Sequence, residues 1–335
     1  MLSSVDSESG ACVFTHVPLS VFTDWKSGVV DVMALSKMGS FVRRGALQTG
    51  FSHVGTLLGT TTMNTTVNGA SAPQPTQRRV FLASCLLQLG CSTMTGEVVK
   101  TMESVRAEVL GTGVGSSSYS LAAVMSFPAE SGASETVVGR TQITYVNIDS
   151  STRKPSPLDA VMKAAIQTIV NPNAMSRVGL GKMERLAMPP HVTNYNPAGN
   201  DSPDTLLHQA SFVVRYSDTD FNGHVNQSVY IQFVVDACRE LIETRLKEMR
   251  ARSASASGSE ESFFPNPKRE TDLKELRIDY LQEVRSLGTR LIVTLHKDMV
   301  STSQWWFTIH FQPTEEGGFT IAAQGYAHTQ SAVPS

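Results

Sequence analysis

The sequence is poor in the features that mark nucleic-acid-binding and membrane-spanning proteins. Charged residues make up only 17% of its 335 residues, and the formal net charge is −2. Without a basic excess, charge suggests no nucleic-acid partner. Uninterrupted apolar runs are a few residues long, as in VFLA at 80–83, whereas about 20 residues are needed to cross a bilayer. The sequence therefore predicts no integral membrane segment.

Targeting signals and cysteines are scarce as well. The opening MLSSVDSESG has acidic residues but no basic region and no apolar stretch, which argues against a signal or transit peptide. The four cysteines, Cys12, Cys85, Cys91 and Cys238, lie in apolar segments without metal-ligand spacing. Buried free thiols are the default for such residues. We predict a cytoplasmic protein with neither metal nor cofactor.

Two halves of the chain repeat one pattern. Each reads as a strand, a turn, a long helix, a polar insert and then four strands. Aligning Asp24 with Asp220 gives an offset of 196 residues, which also pairs Arg43 with Arg239. A period this long indicates two copies of a domain. The predicted strands of the first half lie near 11–22, 79–90, 97–110, 117–127 and 138–148, and the last four of the second near 272–284, 289–299, 303–312 and 319–329.

The domain boundaries follow from this repeat. We predict an N-terminal domain at 1–150, a linker with a short helix at 151–204, and a C-terminal domain at 205–335. GTGVGSSS at 111–118 lacks the lysine and the following helix of a phosphate-binding loop, so it predicts a hairpin turn.

The most informative stretch is 213–240, VVRYSDTDFNGHVNQSVYIQFVVDACRE. A short β-like run enters a turn rich in Asp, Asn and Gly, and a helix follows. The helix has one apolar face, formed by residues 230, 233, 234, 237, 238 and 241. The turn therefore lies at a helix N-terminus, where unpaired backbone N–H groups favour a carbonyl or an anion.

Asp218, Asp220, Asn222 and His224 crowd that turn. Helix capping by one of them, with His224 as a polar turn residue, is the simpler interpretation of such a pattern. The whole segment, however, closely resembles the active-site signature of hotdog-fold thioesterases. DTDFNGHVNQSVY at 218–230 is similar to the D-x-D-x-N-x-H-V-N-N-x-x-Y pattern of the acyl-ACP thioesterases, with Gln227 in place of the second paired Asn.

A second short resemblance lies at 279–284, DYLQEV, which is similar to the family's E-Y-x-x-E-C. It places Glu283 on a catalytic glutamate position and Val284 where plant members carry Cys, so a cysteine nucleophile is not expected. In a regular strand Glu283 would share a face with Asp279, opposite Tyr280, and could be a solvated strand residue. A β-bulge before Glu283 would move its side chain to the other face of the sheet, and an active site on the Asp279 face would need no such change. Either arrangement would allow Glu283 a catalytic role.

The resemblance to double-hotdog acyl-ACP thioesterases, within the 4-hydroxybenzoyl-CoA thioesterase-like hotdog superfamily, implies an α+β fold. Each of two tandem hotdogs would have a long central helix wrapped by a curved antiparallel sheet. It implies Asp220, Asn222, His224 and Glu283 as catalytic residues. The substrate-binding residues would be Gly223, Val225, Asn226 and Tyr230, with Met38 and Phe41 from the first half, where Asp24 lacks matching Asn and His residues.

The implied activity is hydrolysis of acyl thioesters carried on ACP or CoA, by a protein that could form a homodimer of double hotdogs. Backbone N–H groups near Gly223 to Val225 would bind the thioester oxygen, and Asp220 with Glu283 would activate water or attack directly. Two other functions stay open from the sequence. Hotdog hydratases and dehydratases use a different arrangement of His and acid, and a non-catalytic acyl-thioester-binding protein would need no intact site.

Overall fold

The computed structural model divides the chain into two compact units, Met1–Glu184 and Arg185–Ser335. The structure describes residues 3–22, 30–58, 79–90, 103–128, 135–149, 151–199, 204–220, 223–255, 273–301, 303–313 and 317–329. Residues 60–78 and 256–270 of the two polar inserts lie outside these residues, as do Asp24, Cys91 and Asn222. No helix in the described part of the chain is long and apolar enough to cross a membrane.

The first unit contains six strands and four helices among its described residues. The strands are β1 Ser3–Val5, β2 Cys12–Pro18, β3 Arg79–Leu89, β4 Ser104–Val114, β5 Ser118–Phe127 and β6 Thr136–Ile148. The helices are α1 Val32–Gln48, α2 Ser52–Leu57, α3 Ala160–Ile169 and α4 Ala174–Val178, and a 3-10 turn covers Leu19–Val21. The sheet order is β1-β2-β4-β5-β6-β3, antiparallel throughout.

Helix α1 lies on strands β3 to β6 of this sheet. It begins where the Asp31 side chain accepts a hydrogen bond from the backbone N–H of Ala34, at 2.8 Å. Such a cap satisfies one of the donors that a helix N-terminus leaves unpaired. Fully buried Leu35, Met38 and Val42 face the sheet, and their burial holds the helix there.

The second unit contains five strands and two helices among its described residues. The strands are β7 Leu206–Val213, β8 Leu273–Tyr280, β9 Arg290–Lys297, β10 Gln304–Phe311 and β11 Thr320–Thr329. The helices are α5 Pro190–Thr193 and α6 Gln227–Ser255, with a 3-10 turn at Tyr216–Asp218. The sheet order is β8-β11-β10-β9-β7, and all of its neighbours are antiparallel.

Helix α6 packs on β7 and β9 with the face that the sequence predicts. Every residue of the predicted apolar stripe is buried: Tyr230, Phe233, Val234, Ala237, Cys238 and Leu241. The polar residues Arg239, Glu240 and Glu243 are exposed. Helical periodicity was therefore a correct guide to the buried side of this helix.

The two units share one strand connectivity. In each, the strand before the long helix pairs with the second strand after that helix, and the first strand after the helix pairs with the fourth. Identical connectivity supports the internal duplication. Most described strands lie within a few residues of the predicted ones. Strand β4 begins at Ser104, whereas the prediction began near 97, and residues 97–102 lie outside the described part of the chain. The hairpin predicted at 111–118 is present, because the Gly115 N–H bonds to the Ser118 carbonyl at 2.7 Å.

Residues 151–204, predicted as a linker, are shared between the two units. The short helix expected there is α3, which packs on β4 inside the first unit. The later part packs within the second unit, where the Tyr195 ring lies 5.1 Å from that of His296 on β9. Much of this segment therefore belongs to the packed units.

The apolar spacing of α1 predicts a stripe that includes Phe41, and a cation such as Arg43 is expected near a helix C-terminus. The structure corrects both expectations. Phe41 is 42% exposed and packs edge to face against Phe22, with ring centroids 5.4 Å apart. Arg43 is only 3% exposed, because it points toward β6. At these two positions, the place of the residue along α1 did not predict which side chain the sheet covers.

Candidate active site

The turn between β7 and α6 is held by a dense set of backbone hydrogen bonds. The Asp220 N–H donates to the His224 carbonyl at 2.8 Å, and the Asn226 N–H donates to the Asp218 carbonyl at 2.8 Å. Gly223 has a φ of +75°, which a glycine adopts at no steric cost. The turn thereby folds back on itself and places Asp220 and His224 side by side.

Asp220 and His224 are joined directly. The carboxylate Oδ1 of Asp220 accepts a hydrogen bond from the backbone N–H of His224, at 3.1 Å. The His224 side chain is buried, with the residue 9% exposed, while Asp220 is half-buried. A carboxylate and an imidazole are therefore presented together in a partly enclosed place at the start of α6.

Glu283 reaches the same place from the segment after β8. Its Oε1 lies 3.5 Å from Nδ1 of His224. The N–H groups of Leu281 and Gln282 both donate to the Ala322 carbonyl, at 2.8 and 3.1 Å, so two residues oppose one on β11. This is the pattern of a β-bulge. It interrupts the alternation of side chains that, in a regular strand, would have placed Glu283 on the same face of the sheet as Asp279 and opposite Tyr280.

Two tyrosines pack together next to this cluster. Tyr230, on the first turn of α6, packs its ring against Tyr280 at the end of β8, with centroids 5.5 Å apart and an interplanar angle of 81°. Burial raises the pKa of the Tyr230 phenol well above its usual value, with the nearby Glu283 carboxylate adding to the effect. The Tyr230 phenol therefore stays protonated and is a hydrogen-bonding group.

The three backbone N–H groups predicted to bind a thioester oxygen have partners inside the protein. That of Gly223 donates to the Asp220 carbonyl at 2.9 Å, that of Val225 to the Val284 carbonyl at 3.0 Å, and that of His224 to the Asp220 side chain. In this structure they hold the turn together. The backbone N–H of Ser228 is likewise taken, at 3.1 Å, by the Asn226 side chain, which caps α6.

The remaining predicted residues are placed as follows. Met38 lies fully buried between α1 and its sheet, and Phe41 is at the edge of the same helix. Asn222 lies outside the described residues. Among the residues that the structure describes, no three His, Cys, Asp or Glu side chains are grouped so as to hold a metal ion.

Arg285 is a member of the cluster that sequence reasoning missed. Its guanidinium pairs with Glu283, with Nε 2.9 Å from the carboxylate Oε2. In a regular strand, residues 283 and 285 would share a face, and that spacing is the only signal that the sequence offered. The pair fixes one oxygen of Glu283 and leaves the other directed at His224.

The thiol of Cys238 provides a test of which groups are reactive. It is buried within α6, and burial raises its pKa to about 12, so at neutral pH almost no thiolate is present. We expect Cys238→Ala to keep the catalytic activity of the unaltered protein within about threefold, since the nucleophilic species is absent already. The check is kcat/KM beside the far-UV CD spectrum. A large loss of activity in a normally folded variant would restore a thiol mechanism.

Comparison with known proteins identifies this region. Residues 202–251 match the model of the family described as the acyl-ACP thioesterase C-terminal domain. The resemblance to acyl-ACP thioesterases is confirmed. The matched segment contains Asp220, His224 and Asn226 but ends before Glu283. No curated protein sequence matches the chain.

Solved structures of acyl-ACP thioesterases extend the likeness over nearly the whole chain. One from Bacteroides thetaiotaomicron VPI-5482 covers 96% of this chain and 97% of its own, with 14% identity and a TM-score of 0.50. The 12:0-ACP thioesterase from Umbellularia californica covers 95% of each chain, with 12% identity and a TM-score of 0.56. At such identities the likeness shows the fold, and the chemistry depends on the residues at the start of α6.

Proposed function

We propose that this protein hydrolyses fatty acyl thioesters, on ACP or CoA, to a free fatty acid and the carrier thiol. The observation that carries the proposal is the meeting of Asp220, His224 and Glu283 at the N-terminus of α6, inside or beside the segment that matches the thioesterase model. A carboxylate, an imidazole and a second carboxylate are the groups needed to position and deprotonate water.

In the reaction we propose, the Asp220 carboxylate takes a proton from water as the water oxygen bonds to the thioester carbon. The tetrahedral intermediate then expels the thiolate, the C–S bond breaks, and the proton returns to sulfur. Direct attack by Asp220, followed by hydrolysis of the acyl anhydride, gives the same products. His224, held by Glu283, would orient the water, and Asn222 would share that task.

Negative charge on the thioester oxygen requires a hydrogen-bond donor. Of the three turn N–H groups, only that of His224 is held by a side chain, the carboxylate of Asp220. A rotation of that side chain, as the carboxylate engages water, would release the donor without breaking the backbone pairs of Gly223 and Val225. We therefore propose the His224 N–H as the first donor to the oxyanion, and the Tyr230 phenol as a group that lines the site.

The architecture that we propose is a tandem hotdog, with α1 and α6 as the two central helices. The shared strand connectivity and the packing of each helix on its own sheet support it. One active site, in the 205–335 domain, would serve the chain, and the 1–150 domain would form part of the acyl tunnel with Met38 and Phe41. A homodimer of such double hotdogs and a cytoplasmic location stay predictions.

The experiment is thiol release from acyl-CoA and acyl-ACP substrates with chains of 8 to 18 carbons, followed with a thiol-reactive dye. We expect catalytic turnover on at least one series, unaffected by a chelator. Saturable binding without thiol release would favour an acyl-binding protein. Addition of water to an enoyl thioester, with the thioester left intact, would favour a hydratase.

A further inference from the structure

Gln227, the first residue of α6, contains a buried donor without a hydrogen-bond partner. The donor is its side-chain Nε2, which is buried and unbonded although the residue as a whole is half-buried. An amide taken out of water without a partner loses its hydrogen bonds to water and gains none in exchange. Buried side-chain amides in folded proteins are nearly always bonded, so an exception calls for a physical reason.

The same helix gives another glutamine a partner. Gln232, further along α6, donates from its Nε2 to the Asp236 carboxylate at 2.7 Å. Side chains four residues apart on one helix meet in this way. Gln227 has Ile231 at the corresponding position, and an isoleucine side chain accepts no hydrogen bond. The sequence at the start of α6 therefore leaves the amide of Gln227 without the partner that Gln232 has.

The backbone N–H groups on either side of Gln227 are bound within the protein. That of Asn226 donates to the Asp218 carbonyl at 2.8 Å, and that of Ser228 donates to the Asn226 side chain at 3.1 Å. The next one, of Val229, donates to the Asn226 carbonyl at 3.0 Å. Among the described side chains at the start of α6, Nε2 of Gln227 is therefore a buried donor that the fold leaves unused.

The position of Gln227 on the helix places this donor next to the candidate active site. Helical spacing puts Gln227 on the same side of α6 as Tyr230 and Ile231, which are 4% and 0% exposed. Side chains on a helix lean toward its N-terminus, so that of Gln227 leans toward the turn that holds Asp220 and His224. The amide therefore lies on the inner side of that turn.

We propose that Nε2 of Gln227 donates a hydrogen bond to the thioester oxygen, as a second donor beside the His224 N–H. When the water oxygen bonds to the carbonyl carbon, an electron pair of the C=O bond moves onto oxygen, and donors placed in advance stabilise that charge. Because Gln227 is half-buried and the terminal torsion of its side chain is soft, the amide can turn toward a bound thioester. A donor unpaired in the free protein and bonded in the transition state favours the reaction. This role rests on the proposed function.

The test is Gln227→Met in the full chain, which keeps an unbranched side chain of similar length and removes the amide. We expect kcat for acyl thioesters to fall at least about 30-fold, with KM within about threefold, because the lost donor acts in the transition state. The thermal midpoint of the same variant should rise by about 2 °C, since an unsatisfied buried amide has been removed. Gln232→Met, the matched control, should keep kcat within about threefold and melt no higher than the unaltered protein, because it loses an amide that is bonded.

An unchanged kcat in Gln227→Met, while the unaltered protein releases thiol, would reject the role of Gln227 and leave the proposed function standing. An equal loss of kcat in Gln232→Met would mark a general effect of altering α6 and would also reject that role. If Gln227→Met melts several degrees lower or fails to fold, Gln227→Glu decides, because it keeps the shape and replaces the NH2 group by oxygen. A loss of at least about 30-fold in its kcat supports the role, and an unchanged kcat rejects it. No thiol release by the unaltered protein from any acyl thioester would reject the proposed function and the role of Gln227 together.

Discussion

Replacing Asp220 by Asn should lower kcat/KM for acyl thioesters at least about 10²-fold, while the thermal midpoint changes little. An Asn side chain keeps an oxygen at Oδ1, so it can still accept the His224 N–H that Asp220 holds at 3.1 Å. It cannot take a proton from water or attack the thioester. A hundredfold loss corresponds to about 2.7 kcal/mol of transition-state stabilisation, in the range of a general base.

Asp218→Asn is the matched control for that variant. Asp218 lies two residues earlier in the same turn, and its Oδ2 accepts the Arg215 N–H at 2.8 Å. Its work is structural, and Asn can continue it, so we expect activity within about threefold. Equal losses in both variants, or unfolding of Asp220→Asn, would show that the carboxylates hold the turn and do no chemistry.

The second large effect concerns the contact between His224 and Glu283. We expect His224→Gln and Glu283→Gln each to lower kcat by about 10²-fold or more, because each removes a titratable group from one working unit. The double variant should be little worse than either single one. The coupling energy comes from a double-mutant cycle, in which kcat/KM is measured for the unaltered protein, the two single variants and the double variant. A value of at least about 1 kcal/mol would show that the 3.5 Å contact between His224 and Glu283 operates in catalysis.

Arg285→Gln is the control variant for Glu283→Gln in this double-mutant cycle. It removes the other partner of Glu283 while leaving the carboxylate in place. A loss well below that of Glu283→Gln is expected, since the exposed guanidinium positions the carboxylate from the solvent side. Strictly multiplicative losses for His224 and Glu283 would mean that the two side chains act independently, and the proposed role of Glu283 would be withdrawn.

The elements of the fold could be predicted because they follow from periodicity in short windows. Tyr230, Val234 and Cys238 recur at helical spacing, and the structure buries all three. Strand alternation and turn residues placed β5, β6 and β8 to β11 within a few residues. The site could be predicted because Asp220 and His224 are four residues apart in one turn, so local sequence alone brings them together.

Features that depend on tertiary contacts could not be predicted. The face of the sheet on which Glu283 lies is set by the β-bulge, in which the Leu281 and Gln282 N–H groups share the Ala322 carbonyl, about 40 residues along the chain. The partner of the His224 N–H is a side chain whose rotamer the sequence does not specify. Arg43 is buried because β6 brings Thr141 to it from 98 residues away. The charge and the periodicity of a short stretch of sequence do not reveal contacts between residues that lie far apart along the chain.

The central claim is that Asp220, within this cluster, hydrolyses acyl thioesters. Its most direct test is the steady-state release of free thiol and of fatty acid from acyl-ACP and acyl-CoA substrates of 8 to 18 carbons, measured side by side for the unaltered protein and Asp220→Asn. The account predicts that the unaltered protein releases thiol and acid in equal amounts from at least one of these substrates, and that folded Asp220→Asn retains about 1% of that rate or less. Equal rates from the two proteins, or no release from any substrate of the panel by the unaltered protein, would contradict it.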